Sequence, residues 1–135
     1  MADITERPID EEAEKQAVGG PQAGAVLTFS GTVREQHHGR QVTAIEYHAY
    51  ASMAAKELTR IEEEIGKRWP GVRARIVHRT GLLAVGETSV FIAVSSPHRA
   101  EGFEALRFAI EGVKAMAPIW KKELYPDGHA WLEGS

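Results

Sequence analysis

The sequence contains no cysteine. That excludes a disulfide framework, a thiolate metal site and any mechanism that parks sulfur on a thiol of this chain. No apolar run approaches the roughly 20 residues of a membrane span. The acidic start, Met1-Ala2-Asp3-Ile4-Thr5-Glu6, lacks the apolar stretch of a secretory signal. The cytoplasm is the expected location. Basic residues are not in excess either: 16 Lys and Arg stand against 19 Asp and Glu, for a net charge of -3. A general nucleic-acid binder needs a basic face, so neither nucleic acid nor membrane is expected as a partner. No repeat and no low-complexity segment interrupts the chain. What remains is 135 residues, 43% of them hydrophobic, enough for one domain with its own core. We read residues 1–135 as that single domain, with 1–22 as its N-terminal segment.

The pattern predicts strands, a helix, two strands, a long helix and further strands. Residues 4–9 read as a short edge strand. Asp10 to Val18 reads as a helix with acids in its first turn, stopped by Gly19-Gly20-Pro21. Ala23 to Val33 reads as a strand in which Gly24 and Gly31 mark bulges or close backbone approaches. Arg34 to Gln41 is polar and aperiodic and reads as a mobile loop. Its His37-His38 pair has no third ligand at a suitable spacing, so no metal is assigned. Val42 to Tyr50 alternates as a strand, with Ile45, Tyr47 and Ala49 on one face. Ser52 is the expected cap of a helix over Met53 to Arg68. Ala54, Leu58, Ile61 and Ile65 should be its buried stripe. Glu57, Glu62, Glu63, Glu64, Lys67 and Arg68 should be its wet face.

Val72 to Thr80 and Thr88 to Ser95 read as strands joined by Gly81 to Glu87. Val90 to Val94 is nearly all apolar, which marks a central strand. Ser96 and Pro97 should open the long helix, as cap and first turn. Phe103, Leu106, Ile110, Val113 and Ala117 recur along it at helical spacing. Pro118 should end it, because it lacks an amide proton and biases Ala117 away from helical geometry. Ile119 to Tyr125 and Ala130 to Leu132 read as strands around the turn Pro126-Asp127-Gly128. This order implies an α+β fold, with a mostly antiparallel sheet and helices packed on it.

Two clusters carry chemistry. Lys114 sits near the C-terminus of the long helix, and Lys121 and Lys122 follow on the chain leaving it, with Trp120 as a wall. Spacing alone fits a dipole-complementing lysine with two solvated ones, or a pocket for an anion with one reactive lysine. His98 and Arg99 stand where the helix dipole is positive. They fit simple exposure, or an anion held by the free amides and both side chains. The alternation does not tell whether Lys121 or Lys122 points inward.

Several segments coincide in order and gap: Phe29-Ser30-Gly31-Thr32-Val33-Arg34, Glu46-Tyr47-His48-Ala49-Tyr50, Val77-His78-Arg79-Thr80-Gly81, Ser96-Pro97-His98-Arg99, and Lys114-Ala115-Met116-Ala117-Pro118-Ile119-Trp120-Lys121-Lys122-Glu123. From about Ala23 to Glu133 the chain resembles the catalytic (large) subunit of molybdopterin synthase. The resemblance implies an α/β hammerhead fold and a sulfurtransferase of molybdenum cofactor biosynthesis. Such an enzyme converts cyclic pyranopterin monophosphate to molybdopterin. Its sulfur arrives as a thiocarboxylate on the C-terminal Gly-Gly of a small ubiquitin-like carrier subunit. The large subunit forms a homodimer at the centre of a heterotetramer, and no cofactor is called for.

Position by position, the resemblance makes Lys114 and Lys121 the catalytic lysines. Arg34, His98 and Arg99 become pterin-phosphate residues, with His98 and Arg99 supplied by the neighbouring subunit. Thr32 and Val33 line the approach, Lys122 and Glu123 flank Lys121, and Phe29 meets the carrier tail. The sequence ends at Ser135, where some relatives continue with a tail that supplies a further basic residue.

These residue types suit the chemistry. Arg34 and Arg99 can fork onto phosphate oxygens. Neighbouring cations lower each other's proton affinity, so Lys114 beside Lys121 can be partly neutral. It can then act as base, proton shuttle or acyl acceptor. His98 can protonate the oxygen that leaves when the cyclic phosphate opens. Two other classes compete: a non-catalytic phosphate-ligand module using Arg34, His98 and Arg99, and a small acyl-phosphate hydrolase depending on Arg34. Neither needs a carrier protein.

Overall fold

A computed structural model describes residues 3–133, with the side chain of Glu133 left out. Met1, Ala2 and Ser135, which entered the readings of the two chain ends, lie outside the described residues. The elements are β1 (Asp3–Thr5), α1 (Glu11–Val18), β2 (Ala25–Thr32), β3 (Gln36–His37), β4 (Arg40–Gln41), β5 (Ala44–Ala49), α2 (Ala51–Arg68), β6 (Arg73–Arg79), β7 (Gly81–Ala84), β8 (Thr88–Ser96), α3 (Arg99–Met116), β9 (Ile119–Tyr125) and β10 (Gly128–Glu133). The fold is α+β, as the pattern implies. Its strands divide into two four-stranded sheets, in the orders β1-β6-β8-β2 and β10-β9-β5-β7, plus the two-stranded β3-β4. Among the described residues only β1 runs parallel to its neighbour.

The nearly all-apolar β8 is an inner strand, between β6 and β2. Its Val90, Ile92 and Val94 join Leu58, Ile61 and Ile65 of α2 and Ala105, Ala109 and Val113 of α3 in the larger core cluster. A second cluster lies beneath the other sheet, around Ile45, Tyr47, Leu83 and Ile119. Gly24 and Gly31 are close approaches, as read. A Cβ on Gly24 would collide with the Pro97 carbonyl oxygen, and one on Gly31 would lie 2.7 Å from Val90 Cγ1. The register of β2 against β8 shifts between Gly31 and Thr32, a local irregularity.

Several expectations are corrected. The segment 34–41 is a hairpin rather than a loop: Gln36 pairs with Gln41 and His37 with Arg40. His38 (φ 51°) and Gly39 (φ 76°) supply the two positive φ values that a tight hairpin turn requires. Gly81 to Glu87 contains a strand, β7, which pairs with β5. Ser52 does not cap α2. The helix starts at Ala51, two residues earlier than expected, behind Tyr50, which keeps extended geometry and whose N–H donates to the Pro118 carbonyl at 3.3 Å. Ser96 does not cap α3. It still pairs with Ala25 in the sheet, and its hydroxyl donates to the His98 carbonyl at 2.5 Å, so the helix starts at Arg99. Glu62 is buried, not wet: its carboxylate accepts the Ile76 N–H at 2.8 Å, where α2 packs on β6.

The buried face of α3 also differs. Gly102, Ala105, Ala109 and Val113 are buried, while Phe103 is 62% exposed. Small residues win this face because the helix lies close on the sheet. A Cβ on Gly102 would come within 2.6 Å of Leu27 Cδ1. Leu106, Ile110 and Ala117 pack at the edges of the core. The helix does end at Met116, with Ala117 extended before Pro118, as proline sterics dictate.

Candidate active site

The sheet containing β9 and the C-terminal end of α3 meet the far end of β2 at a cleft of about 180 Å³. Phe29, Gly31 and Thr32 of β2, Arg34 just beyond it, Lys114 of α3, and Lys121 and Glu123 of β9 line it. His37, Val42, Ile45, Tyr47, Ser89 and Val90 complete the lining. Lys114 reaches the cleft from the last turn of α3 and keeps an exposed flank. Burial, and then the positive charges of Lys121 and Arg34, hold its ammonium below the ordinary lysine range. Three cations from three separate stretches of the chain thus converge on one concave site.

Val33 does not line the cleft. It is 3% exposed, its N–H donates to the Glu87 carbonyl at 3.0 Å, and its own carbonyl accepts the Gly86 N–H at 2.8 Å. These bonds fix the strand end from which Thr32 and Arg34 project. Between the two candidate lysines of β9, Lys121 faces the cleft. It pairs with Tyr47 of β5, which lines the same space. Lys122 points to the opposite face, with Nζ 3.8 Å from Glu46 Oε1 and 5.1 Å from the centroid of the Trp131 ring.

His98 and Arg99 are exposed at the other end of α3. Fifteen helical steps at 1.5 Å put Arg99 about 22 Å along the axis from Lys114, so a single chain does not bring these two residues to its own cleft.

Glu123 is 2% exposed, and two groups satisfy it. Its Oε1 lies 2.9 Å from His37 Nδ1 and accepts the Tyr125 hydroxyl at 2.8 Å. Burial alone would raise its carboxyl; the bonds from His37 and Tyr125 and the charges of His37 and Lys121 outweigh that and lower it. Arg40 holds the other strand of the same hairpin, pairing with Asp127 at 2.9 Å and stacking 3.8 Å over the Tyr125 ring. Among the described residues no group of three or more His, Asp or Glu could hold a metal ion.

Sequence reasoning did not assign His37, Tyr47 and Ser89 to the site. Tyr47 shared a strand face with Ile45, but only the β5–β9 register places it beside Lys121. His37 reads as loop until the hairpin forms. No sequence signal marks Ser89, whose hydroxyl donates to the Gly31 carbonyl at 3.2 Å.

The family profile described as MoaE protein matches residues 4–116. The molybdopterin synthase catalytic subunit of Bacillus subtilis (strain 168) is 47% identical over 130 residues, covering 96% of this chain and 83% of that protein. A crystal structure of molybdopterin synthase from Staphylococcus aureus superposes with a TM-score of 0.94 at 43% identity, covering 97% of this chain and 96% of that one. A complex of subunits 1 and 2 of molybdopterin-converting factor from Helicobacter pylori 26695 contains a chain of the same fold. Its TM-score is 0.80 at 20% identity, covering 96% of this chain and 88% of that one. With a profile match over most of its length and close relatives along nearly all of it, the chain belongs to the MoaE family of molybdopterin synthase catalytic subunits.

Proposed function

We infer that this chain does the work of its family: it is a sulfurtransferase that converts cyclic pyranopterin monophosphate to molybdopterin in molybdenum cofactor biosynthesis. Its partner is a small ubiquitin-like subunit whose C-terminal Gly-Gly thiocarboxylate carries the sulfur. Family membership sets aside the phosphate-module and acyl-phosphate-hydrolase readings. The observation that carries the site reading is the convergence of Arg34, Lys114 and Lys121 on one cleft. A cysteine-free chain suits a reaction whose sulfur rides on another protein.

Arg34 binds the phosphate through its planar fork of donors. Lys121 compensates the negative charge that develops as sulfur attacks the pterin side chain. Lys114, with its proton affinity lowered by burial and by its two cationic neighbours, moves the proton. Phe29 meets the carrier tail, Thr32 lines the substrate's approach, and Glu123 keeps the hairpin that carries His37 against β9. His98 and Arg99 serve the cleft of the other subunit in a homodimer, the core of a heterotetramer; their distance from Lys114 within one chain supports that assignment. Lys122 acts from the rim, beside Trp131 and Glu46.

Residues 1–135 act as one domain, a reading supported by Ile4 and Ala117, which pack against both core clusters. No helix of the described residues is long and apolar enough to cross a membrane, and the proposed compartment is the cytoplasm.

The test is reconstitution. The chain, thiocarboxylated carrier and cyclic pyranopterin monophosphate should yield the dithiolene product. Lys114→Ala should abolish product while leaving carrier binding and fold intact. Normal turnover by that variant removes Lys114 from the mechanism.

A further inference from the structure

The core face of α3 is built from small residues, and a large one is left outside it. Phe103 is 62% exposed. At about 100° per residue, Arg99, Phe103, Leu106, Ile110 and Lys114 fall within a wedge of about 80° around the helix. That wedge lies about a quarter turn from the buried Gly102, Ala105, Ala109 and Val113. Leu106 and Ile110 are half-buried in it. An apolar stripe therefore runs along one flank of α3, with Arg99 at one end and Lys114 at the other.

The fold puts this stripe at an open margin. On one side of the core face α3 meets α2: a Cβ on Gly112 would come within 3.1 Å of Ile61 Cδ1. The stripe is on the other side, where Gly102 lies on Leu27 of β2. β2 ends its four-stranded sheet, and among the described residues no strand pairs with its outer edge. β2 also spans the same interval as α3. Gly24, just before it, touches Pro97 beside the N-terminus of α3, while Phe29 and Thr32 line the cleft with Lys114. An exposed apolar stripe beside a free strand edge favours association.

We propose that this margin, the α3 stripe together with the free edge of β2, is where a second copy of the chain docks, with the two α3 helices side by side and antiparallel. The proposal rests on the reading that His98 and Arg99 serve the cleft of the other subunit. Under a two-fold axis, Arg99 then lies near the partner's Lys114, and Lys114 near the partner's Arg99. Both intervals are the same, about 22 Å. Two equal segments that meet end to opposite end run antiparallel, and the axis crosses their midpoint between Leu106 and Arg107. Phe103 then stands level with the partner's Ile110. Arg107 brings its own counter-charge, with Nε 3.1 Å from Glu111 Oε2, so the axis does not gather bare like charges.

A chain without cysteine makes the test direct. In the full chain, Arg107→Cys places a thiol within about 2 Å, measured along the helix, of its copy in the partner. Ala115→Cys, exposed on the same helix, stands about 25 Å from its copy by the same measure. A short bismaleimide should join Arg107→Cys chains into a covalent dimer and leave Ala115→Cys chains single. Phe103→Glu puts a carboxylate in the stripe without touching the core. By light scattering the parent should weigh twice the 14.8 kDa chain, and Phe103→Glu once. Turnover of Phe103→Glu with thiocarboxylated carrier and precursor should fall by about 100-fold or more, because each cleft loses the partner's basic groups. Its circular dichroism should match the parent's.

An Arg107→Cys chain that crosslinks no better than Ala115→Cys overturns the proposal. So does a crosslink from position 107 to the carrier in place of a second copy, or a Phe103→Glu chain that stays a dimer. A monomeric Phe103→Glu chain with full turnover supports the interface and removes His98 and Arg99 from the other subunit's cleft. Activity recovered in mixed dimers of Lys114→Ala and Arg99→Ala, with no crosslink at position 107, does the reverse: the service between subunits stands and this interface fails.

Discussion

His37 and Glu123 are 86 residues apart in sequence, yet His37 Nδ1 lies 2.9 Å from Glu123 Oε1. This contact pins the β3–β4 hairpin to β9 beside Lys121. Glu123→Ala should strip both His37 and Tyr125 of their acceptor and destabilise the fold by about 1–3 kcal/mol. Urea unfolding measures this. The pH dependence has a definite sign. The Glu123 carboxyl is lowered in the folded protein, so its stabilisation is complete above the unfolded value near ~4.3 and is lost as pH falls through the lower folded value. Glu123→Gln should therefore show a flatter loss of stability below about pH 4.5.

His78 acts in a higher window. Its folded value, about 4, lies below the usual histidine value of 6.5. Between these limits the unfolded chain binds the extra proton, so stability falls as pH drops from 6.5 towards 4. Going from about pH 6.5 to 5 should cost roughly 1.6 kcal/mol, because the slope starts at half of its limiting 1.36 kcal/mol per pH unit at the unfolded value. His78→Gln should remove most of that slope, read from denaturant midpoints across the range.

Lys121 and Lys122 are adjacent and face opposite sides of β9. Lys121→Ala should lower turnover by about 100-fold or more, the scale of losing an electrostatic group at a reacting centre. Lys122→Ala should lower it by only a few-fold, since a surface ion pair is worth about 0–1 kcal/mol. Steady-state kinetics on the two single variants separate them. Equal losses would contradict the division of roles.

If His98 and Arg99 serve the other subunit's cleft, two inactive variants should rescue each other. Lys114→Ala and Arg99→Ala are each expected to be inactive as homodimers. In a mixed dimer with isologous symmetry, one of the two clefts receives both intact groups. Mixing the variants under exchange should restore roughly a quarter of parental activity, from random pairing in a two-fold dimer. No recovery after verified exchange would place both groups in the service of a single chain.

The sequence carried much of this, and the exceptions have physical causes. The lysine corner was legible because Pro118 ends a helix by sterics, a local effect. β8 was legible because an inner strand must be apolar on both faces. The face of α3 misled because its core side is built from Gly102, Ala105 and Ala109. Hydrophobic spacing weighs large residues, while close packing on a sheet selects small ones. Glu62 misled because its acceptor meets the Ile76 N–H, a need of another element. The orientation of Lys121 and the presence of Tyr47 and His37 in the cleft depended on strand register and hairpin pairing. Neither is written in any single segment.

α3 begins at Arg99, and Lys114 stands in its last turn. The interval between those two charges is set by counting residues along a stiff rod, and no loop is available to absorb a change. One extra residue in the middle would swing Lys114 by about 100° around the axis and out of its cleft. Lengthening the 36–41 hairpin at its tip would leave every lysine where it is. Natural length variation in such chains should therefore collect at the hairpin and spare the helix.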